Sequence, residues 1–468
     1  MNGQKILKPG NPSLLQKIFD KSEEIFHHLI KADIIRRIVA NSGMMGIATM
    51  FAAATGFAQG IFVVRLLGPV GVGLLSAITQ FTNVINRFVS FRINELVVRF
   101  VRLYIERKQP EKAKAVFKLA GLFEATGSIL AFLLITLLAP LGVKLFADDP
   151  TTATSWFMAY GFVVLFNMIY DSSNGLLQVF NKFKELAVIN VLQNLLTLIL
   201  VIIVALAKGG MINILIVYLV GKLIGAIGVT SVAFMSAREE WGSDWWRAPL
   251  SVLDEDRRSL FTFAFSTNFS ATISLVAKDS ESLWVNGFLG NQIGGYYTLA
   301  LTLVGFIQIP ICPRPSTTYP ELSRAVARKN WSNLRYILRR GSTMAALYTI
   351  PITLLLILFG KQVIQLYSGP EFLPAYPALV ILLGGYSVAN IFYWNRVGLL
   401  SLNRPVFPTA VNFVGMLLKV AGIYYLVPHY EYLAFAGLLA GYYIFTVGVT
   451  AAAVSLDVRK KLALAPAA

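Results

Sequence analysis

The chain has 468 residues, of which 56% are hydrophobic and 14% charged, and its mean hydropathy is +0.65. Such a composition cannot close into water-soluble domains without a largely apolar exterior, so the sequence reads as an all-α polytopic membrane protein. One cysteine, Cys312, and three histidines, His27, His28 and His429, exclude an internal disulfide and a Cys/His zinc cluster. The formal net charge of +17 would suit nucleic acid or a membrane surface; apolar runs of spanning length recur throughout, so the membrane reading wins and no nucleic-acid partner is expected.

The first 40 residues carry seven basic side chains, from Lys5 to Arg37. Ser13-Leu-Leu-Gln16, after Pro12, has the form of a capping box and predicts a helix start. Apolar positions from Leu14 to Ile35 recur at helical spacing opposite Lys17, Lys21, Glu24 and Lys31, as in a helix lying in the headgroup layer or capping the bundle. Beyond it the chain reads as twelve spans, over 43–66, 72–95, 117–140, 155–178, 186–207, 211–236, 260–288, 293–316, 341–366, 375–400, 405–427 and 431–456. Pro310, Pro313, Pro315 and Pro320 around Arg314 predict a kinked or broken eighth span.

Alternating the loops from an inner N-terminus places 30 Lys and Arg inside, against Lys144, Lys208 and Lys361 outside. That asymmetry predicts both termini in the cytoplasm, in a multi-pass protein of the cytoplasmic membrane. The halves also repeat. Leu67-Gly68, Gly73 and Ser76 align at an offset of 222 with Leu289-Gly290, Gly295 and Thr298, while Asn181 and Asn190 fall on Asn403 and Asn412. Two six-span repeats have the same orientation, which predicts two pseudo-symmetric lobes around a central cavity. The expected domains are a basic amphipathic segment over 1–40, an N-lobe over 41–237, a cytoplasmic linker over 238–258, a C-lobe over 259–457 and a tail over 458–468.

Eight cations remain within or at the ends of spans, and Arg65, Arg92, Arg314 and Arg396 are near enough to an end to snorkel. Arg87, Lys222, Lys278 and Lys419 sit deeper, where a charge costs roughly 2.5–3.5 kcal/mol on insertion scales and must face a cavity or a partner. These four are the candidate substrate-binding cations. In span 2, Ser76, Gln80, Asn83, Arg87, Ser90 and Asn94 form one polar helical face, lining either a wet cavity or a helix contact. Span 7 carries a second stripe, Thr267, Ser270, Ser274, Lys278, Glu281 and Ser282, with Asp279 alongside; Lys278 and Glu281 are spaced to satisfy each other. The acids Glu124, Asp171, Asp279 and Glu281 are candidates for ion coupling or for counter-ions. In span 10, Tyr386, Asn390 and Trp394 are candidate sugar contacts, with packing or an interfacial belt as the alternative.

No phosphate loop is present, since Gly221-Lys222 and Gly360-Lys361 lack the glycine five positions earlier, and neither a cofactor, a metal nor a catalytic residue is expected. The runs Arg65-Leu-Leu-Gly-Pro-Val-Gly-Val-Gly-Leu-Leu, Phe288-Leu-Gly-Asn-Gln-Ile-Gly-Gly-Tyr-Tyr-Thr-Leu-Ala, Tyr319-Pro-Glu-Leu-Ser and Tyr367-Ser-Gly-Pro-Glu-Phe-Leu-Pro-Ala resemble the polysaccharide-transporter branch, the O-antigen flippases, of the multidrug/oligosaccharidyl-lipid/polysaccharide exporter superfamily. The resemblance covers nearly all the chain from span 1 onward. It implies a two-lobed bundle with a central cationic cavity that moves a polyprenyl-pyrophosphate-linked oligosaccharide between leaflets by alternating access. Expected partners are that substrate, membrane lipids, and the polymerase and glycosyltransferases of surface polysaccharide synthesis. The runner-up is an ion-coupled exporter of small amphiphiles, with Asp171 or Glu124 titrating; a membrane glycosyltransferase or polymerase is a third class, for which the outer loops look short.

Overall fold

The computed structural model describes the backbone of residues 14–90, 93–148, 150–309 and 314–464, and the side chains of those stretches apart from 14–47, 150–152, 264–271, 314–317 and 320. Among the described residues the elements are all helical, fourteen α-helices and no strand. Hydrocarbon offers the backbone no partners, so apolar segments of this length satisfy their own N–H and C=O groups as helices. α1 (Leu14–Val89) begins where the capping box predicts and holds spans 1 and 2, divided at Gly68. α2 (Ile93–Glu106) comes next; α3 (Pro110–Phe146) is span 3, α4 (Pro150–Phe166) with α5 (Tyr170–Val179) span 4, α6 (Phe183–Leu206) span 5 and α7 (Met211–Trp241) span 6. After the linker, α8 (Arg257–Ser274), a π-helical turn over Leu275–Asp279 and α9 (Glu281–Gln308) form spans 7 and 8, divided at Gly290. α10 (Arg314–Ala327) follows, and α11 (Trp331–Tyr367) is span 9; Pro310 and Pro313, part of the kink expected in span 8, lie outside the described residues. α12 (Ala375–Ile391) and α13 (Asn395–Ser401) make span 10, and α14 (Val406–Leu464) holds spans 11 and 12, divided at Glu431.

Among the described residues eight helices are long and apolar enough to cross a membrane. Two of these, over Ala48–Val89 and Val406–Leu464, have 42 and 59 residues, about two and three times the length one crossing needs, and each is divided into two spans. With the pair on either side of Gly290, the chain makes about twelve crossings.

The repeat seen in the sequence recurs in the backbone. Gly68 (φ 63°) and Gly290 (φ 82°) adopt the left-handed conformation that only glycine tolerates easily. Asn181 (φ 58°) and Asn403 (φ 61°), also 222 positions apart, are both left-handed. Spans 4 and 10 both break, at residues 167–169 and 392–394. α3 and α11 are each 37 residues long. The architecture is two six-helix pseudo-symmetric lobes.

At the end of the bundle that carries Gly68 and Gly290 the lobes meet tightly. A Cβ on Gly73 would fall on the carbonyl of Asn291, and one on Gly295 on the carbonyl of Pro69. Asn291, 1% exposed, ties the lobes further: its backbone N–H donates to Asp148 Oδ2 at 3.1 Å, its side-chain oxygen accepts from the Asp148 N–H at 3.0 Å, and its Nδ2 donates to the Phe146 carbonyl at 2.7 Å. Arg65 in span 1 donates to the carbonyls of Leu366 and Tyr367, which end span 9. This arginine therefore does more than snorkel, since it caps a helix of the other lobe.

At the opposite end the linker is fastened to the N-lobe. Trp245 and Trp241 lie 5.1 and 6.2 Å from the Phe117 ring, Lys118 Nζ donates to the Ala248 carbonyl at 3.1 Å, and Lys112 pairs with Asp256 at 2.8 Å. That lysine holds the Asp256 carboxyl below the usual carboxylate range. α8 leans the same way, with Phe261 and Phe263 packed edge-on against Phe123 and Phe100.

Candidate functional site

The π-helical turn in span 7 and the break in span 10 shape the site. A π turn inserts one residue into the helical register and rotates the rest of the helix about its axis, and here it presents Lys278 and Asp279 in different directions. Lys278 lines a cavity of about 320 Å³ in the C-lobe, together with Ser274 of span 7, Asn390, Tyr393, Asn395 and Arg396 of span 10, Asn412 of span 11, and Tyr443 and Thr446 of span 12. Its lining residues include two cations and no acid. Asn390 is 2% exposed, and its buried Nδ2 has no hydrogen-bond partner among the described residues.

Asp279 turns toward the N-lobe instead. Its carboxylate meets Arg87 Nη1 at 2.5 Å, and the two side chains are 32% and 52% exposed. Arg87 thus bridges the lobes beside Lys278. Along the span 2 stripe, Ser76 is buried, Gln80 and Ser90 are half-buried, and Asn83 and Arg87 are exposed. The stripe is most exposed at its middle, over Asn83 and Arg87, and is half-buried again at Ser90 and Asn94.

Two of the residues read as site groups from the sequence, Lys419 and Trp394, are placed otherwise, and Glu281 takes the counter-ion role, one of the two read for it. Lys419 is not a cavity cation: it is 2% exposed, donates to the Ala277 carbonyl at 2.6 Å and pairs with Glu281. Glu281 is its counter-ion and also accepts from Tyr297 Oη at 3.0 Å, so it does not pair with Lys278. The π turn and the Ser280 turn lie between Lys278 and Glu281, and the i to i+3 proximity of a regular helix is lost. Trp394 is not a sugar contact in this cavity, because the turn over 392–394 points its indole away, where Nε1 donates to Ser342 Oγ at 2.7 Å. Tyr393 takes the lining position.

Glu124 caps a helix. Its oxygens accept from the backbone N–H groups of Asp171 at 2.6 Å and Ser172 at 2.9 Å, the first turn of α5 after the break in span 4. Asp171 itself is exposed, as is Lys222. Tyr386 stacks on Tyr443 at 4.7 Å behind the cavity wall. Thr267 and Ser270 of the span 7 stripe, with Arg92 and Arg314, lie outside the described side chains. Arg396 reads from the sequence as a snorkelling residue; it is exposed and lines the cavity, beside a break in span 10 that has no signal in the helical period.

Residues 38–326 match the family model described as polysaccharide biosynthesis protein. The chain belongs to this family. It is 22% identical over 353 residues to the inner membrane protein YghQ of Escherichia coli (strain K12), covering 75% of this chain and 97% of the relative. Among solved structures, an inward-facing multidrug resistance MATE family transporter of the MOP superfamily superposes with a TM-score of 0.67 at 16% identity, covering 90% of this chain and 98% of that one. The lipid II flippase MurJ in an inward closed conformation also superposes at 0.67 and 16% identity, covering 89% of each chain. This polysaccharide biosynthesis protein therefore has the MOP-superfamily transporter fold, and the two-lobed architecture implied by the sequence resemblance is present.

Proposed function

We propose that this protein is a flippase that carries a polyprenyl-pyrophosphate-linked oligosaccharide across the cytoplasmic membrane by alternating access, for surface polysaccharide (O-antigen type) synthesis. The observation that carries this reading is the acid-free C-lobe cavity with Lys278 and Arg396 in its wall. A deep, half-buried Lys278 with no acid beside it in the cavity wall is costly unless an anion joins it; a pyrophosphate supplies that charge, and the exposed Arg396 adds a second cation. Amides, hydroxyls and tyrosine faces around them suit a glycan, through hydrogen bonds and C–H contacts. Between the lobes a separate apolar cleft of about 350 Å³, with Val84 and Phe88 on one side and Leu275, Leu283 and Trp284 on the other, suits a prenyl chain that stays in lipid. No bond is made or broken.

The 30 to 3 distribution of loop cations supports an orientation with both termini and the 238–258 linker in the cytoplasm, and so puts the glycine contact at the outer face. Glycosyltransferases that build the glycan and a polymerase that consumes it are the partners this reading implies. The ion-coupled exporter is less well supported. It needs an acid free to titrate, whereas Glu124 accepts from backbone amides, Glu281 from Lys419 and Asp279 from Arg87; Asp171, exposed, remains its candidate.

The test is transport in proteoliposomes, read as lipid-linked oligosaccharide exposed to a soluble glycosidase. Lys278→Gln and Arg396→Gln should each slow transport about tenfold or more, the equivalent of one charge-assisted hydrogen bond of ~1.5–3 kcal/mol, while Asp171→Asn leaves the rate within twofold. Wild-type rates in both cation variants would sink the pyrophosphate site, and loss of transport in Asp171→Asn alone would favour ion coupling.

A further inference from the structure

A second basic cavity lies at the linker end of the C-lobe. It measures about 350 Å³ and is walled by Arg335, Arg339 and Thr343 of α11, Arg459 of α14, and Phe392 and Trp394 of the span 10 turn. The turn gives alternate residues to two cavities, Tyr393 and Asn395 to the candidate substrate pocket and Phe392 and Trp394 to this one. Among the described residues none of the three arginines has an acid within ion-pair reach, and Asp457, the nearest acid in sequence to Arg459, is held by Arg404 at 3.1 Å.

The pseudo-symmetric lobe shows what such cations normally do. α3 and α11 are both 37 residues, so Arg335 and Arg339 occupy the helix positions of Lys114 and Lys118. In the N-lobe those lysines are satisfied from within, Lys114 by Glu111 at 2.7 Å and Lys118 by the linker carbonyl of Ala248 at 3.1 Å. The C-lobe copy has arginines, which bind phosphate bidentately, and no internal acceptor for them among the described residues.

The faces of the helices say where the anion comes from. The α11 positions that carry Arg335, Arg339 and Thr343 continue at helical spacing as Leu347, Leu354 and Leu358, all exposed. On α14, Arg459 comes after the exposed Leu456 and, further back along the helix, Phe445. Exposed apolar positions thus come within one turn of Arg459 on α14 and about two to three turns from Arg339 and Arg335 on α11, the depth at which acyl chains give way to headgroups.

We propose that this cavity binds the phosphate headgroup of an anionic phospholipid, with the acyl chains laid along Leu347 and Leu456. The site is separate from the substrate pocket and does not depend on what is transported. The test is native mass spectrometry of the delipidated full-length protein titrated with phosphatidylglycerol or phosphatidylethanolamine. The wild type should take up the first phosphatidylglycerol at least tenfold more tightly than phosphatidylethanolamine, and millimolar glycerol 3-phosphate should not displace it. The variant R335Q/R339Q/R459Q should lose the preference, whereas replacing Arg102, Lys108 and Lys182 at the same end of the N-lobe should leave it. The wild-type comparison needs no variant to fold, and equal affinity for the two lipids there overturns the proposal. Retained preference in the C-lobe variant, or loss in both variants alike, overturns it too, and displacement by glycerol 3-phosphate would reassign the cavity to a soluble phosphate compound.

Discussion

A carboxylate and an ammonium at membrane depth are tolerated only when their hydrogen-bonding capacity is filled, and Glu281 and Lys419 fill it with each other, Tyr297 and the Ala277 carbonyl. Removing one partner strands the other. Glu281→Leu or Lys419→Met alone should destabilise the protein by about 3–5 kcal/mol, seen as a lower thermal midpoint in detergent, whereas the double substitution should recover most of it. A double variant no more stable than the single ones would show that the pair is not a closed unit. The sequence reveals all three charges, Lys278, Glu281 and Lys419, but pairs the wrong two. Periodicity assumes an uninterrupted helix, and a single π turn changes the azimuth of everything beyond it. Trp394 is misplaced for the same reason, since the 392–394 turn resets the phase of span 10 between Asn390 and Asn395.

Spans, by contrast, are legible one by one, because length and apolarity are local properties. So is the repeat, since Gly68 and Gly290 are held by a backbone conformation that restricts the residue type, as are Asn181 and Asn403 in weaker form. What the sequence leaves open is which matched glycines touch. Gly73 and Gly295 face the opposite lobe so closely that neither accommodates a methyl group. Gly73→Ala should therefore disfavour this closed end and shift the population toward states in which it parts. In a background lacking Cys312, Ser76→Cys, one turn along and 8% exposed, should react faster with a hydrophilic thiol reagent when Gly73→Ala is present. An unchanged labelling rate would mean that the helices absorb the methyl group by sliding, without opening.

For the whole molecule, side matters before mechanism does. The proposed orientation puts the linker in the cytoplasm, so a membrane-impermeant reagent applied to intact cells should fail to label Ser243→Cys; labelling from outside would invert the assignment. Given that orientation, the lobes are joined at the outer face by tight glycine packing, at the linker end by Phe261 and Phe263 of α8 packed on Phe123 and Phe100, and nearer the candidate site by the exposed ion pair of Arg87 with Asp279. Exposed pairs contribute about 0–1 kcal/mol, so this one cannot hold the lobes against a competing dianion. In the proposed flippase, Arg87 would exchange Asp279 for the substrate pyrophosphate, linking loading to the relative position of the lobes. A charge swap separates that role from plain scaffolding. If the pair only holds the lobes in register, Arg87→Asp combined with Asp279→Arg restores it and should restore transport. If Arg87 also takes up the phosphate, the swapped protein should fold in normal amounts yet transport about tenfold more slowly or worse, because the cation now projects from the other lobe and an acid stands where the phosphate must pass. Asp279→Asn alone should keep most activity, since it frees Arg87 without removing it. Transport per folded molecule for the swap and for Asp279→Asn, each against the wild type, decides the matter, and wild-type transport by the swap would leave Arg87 with a purely structural role.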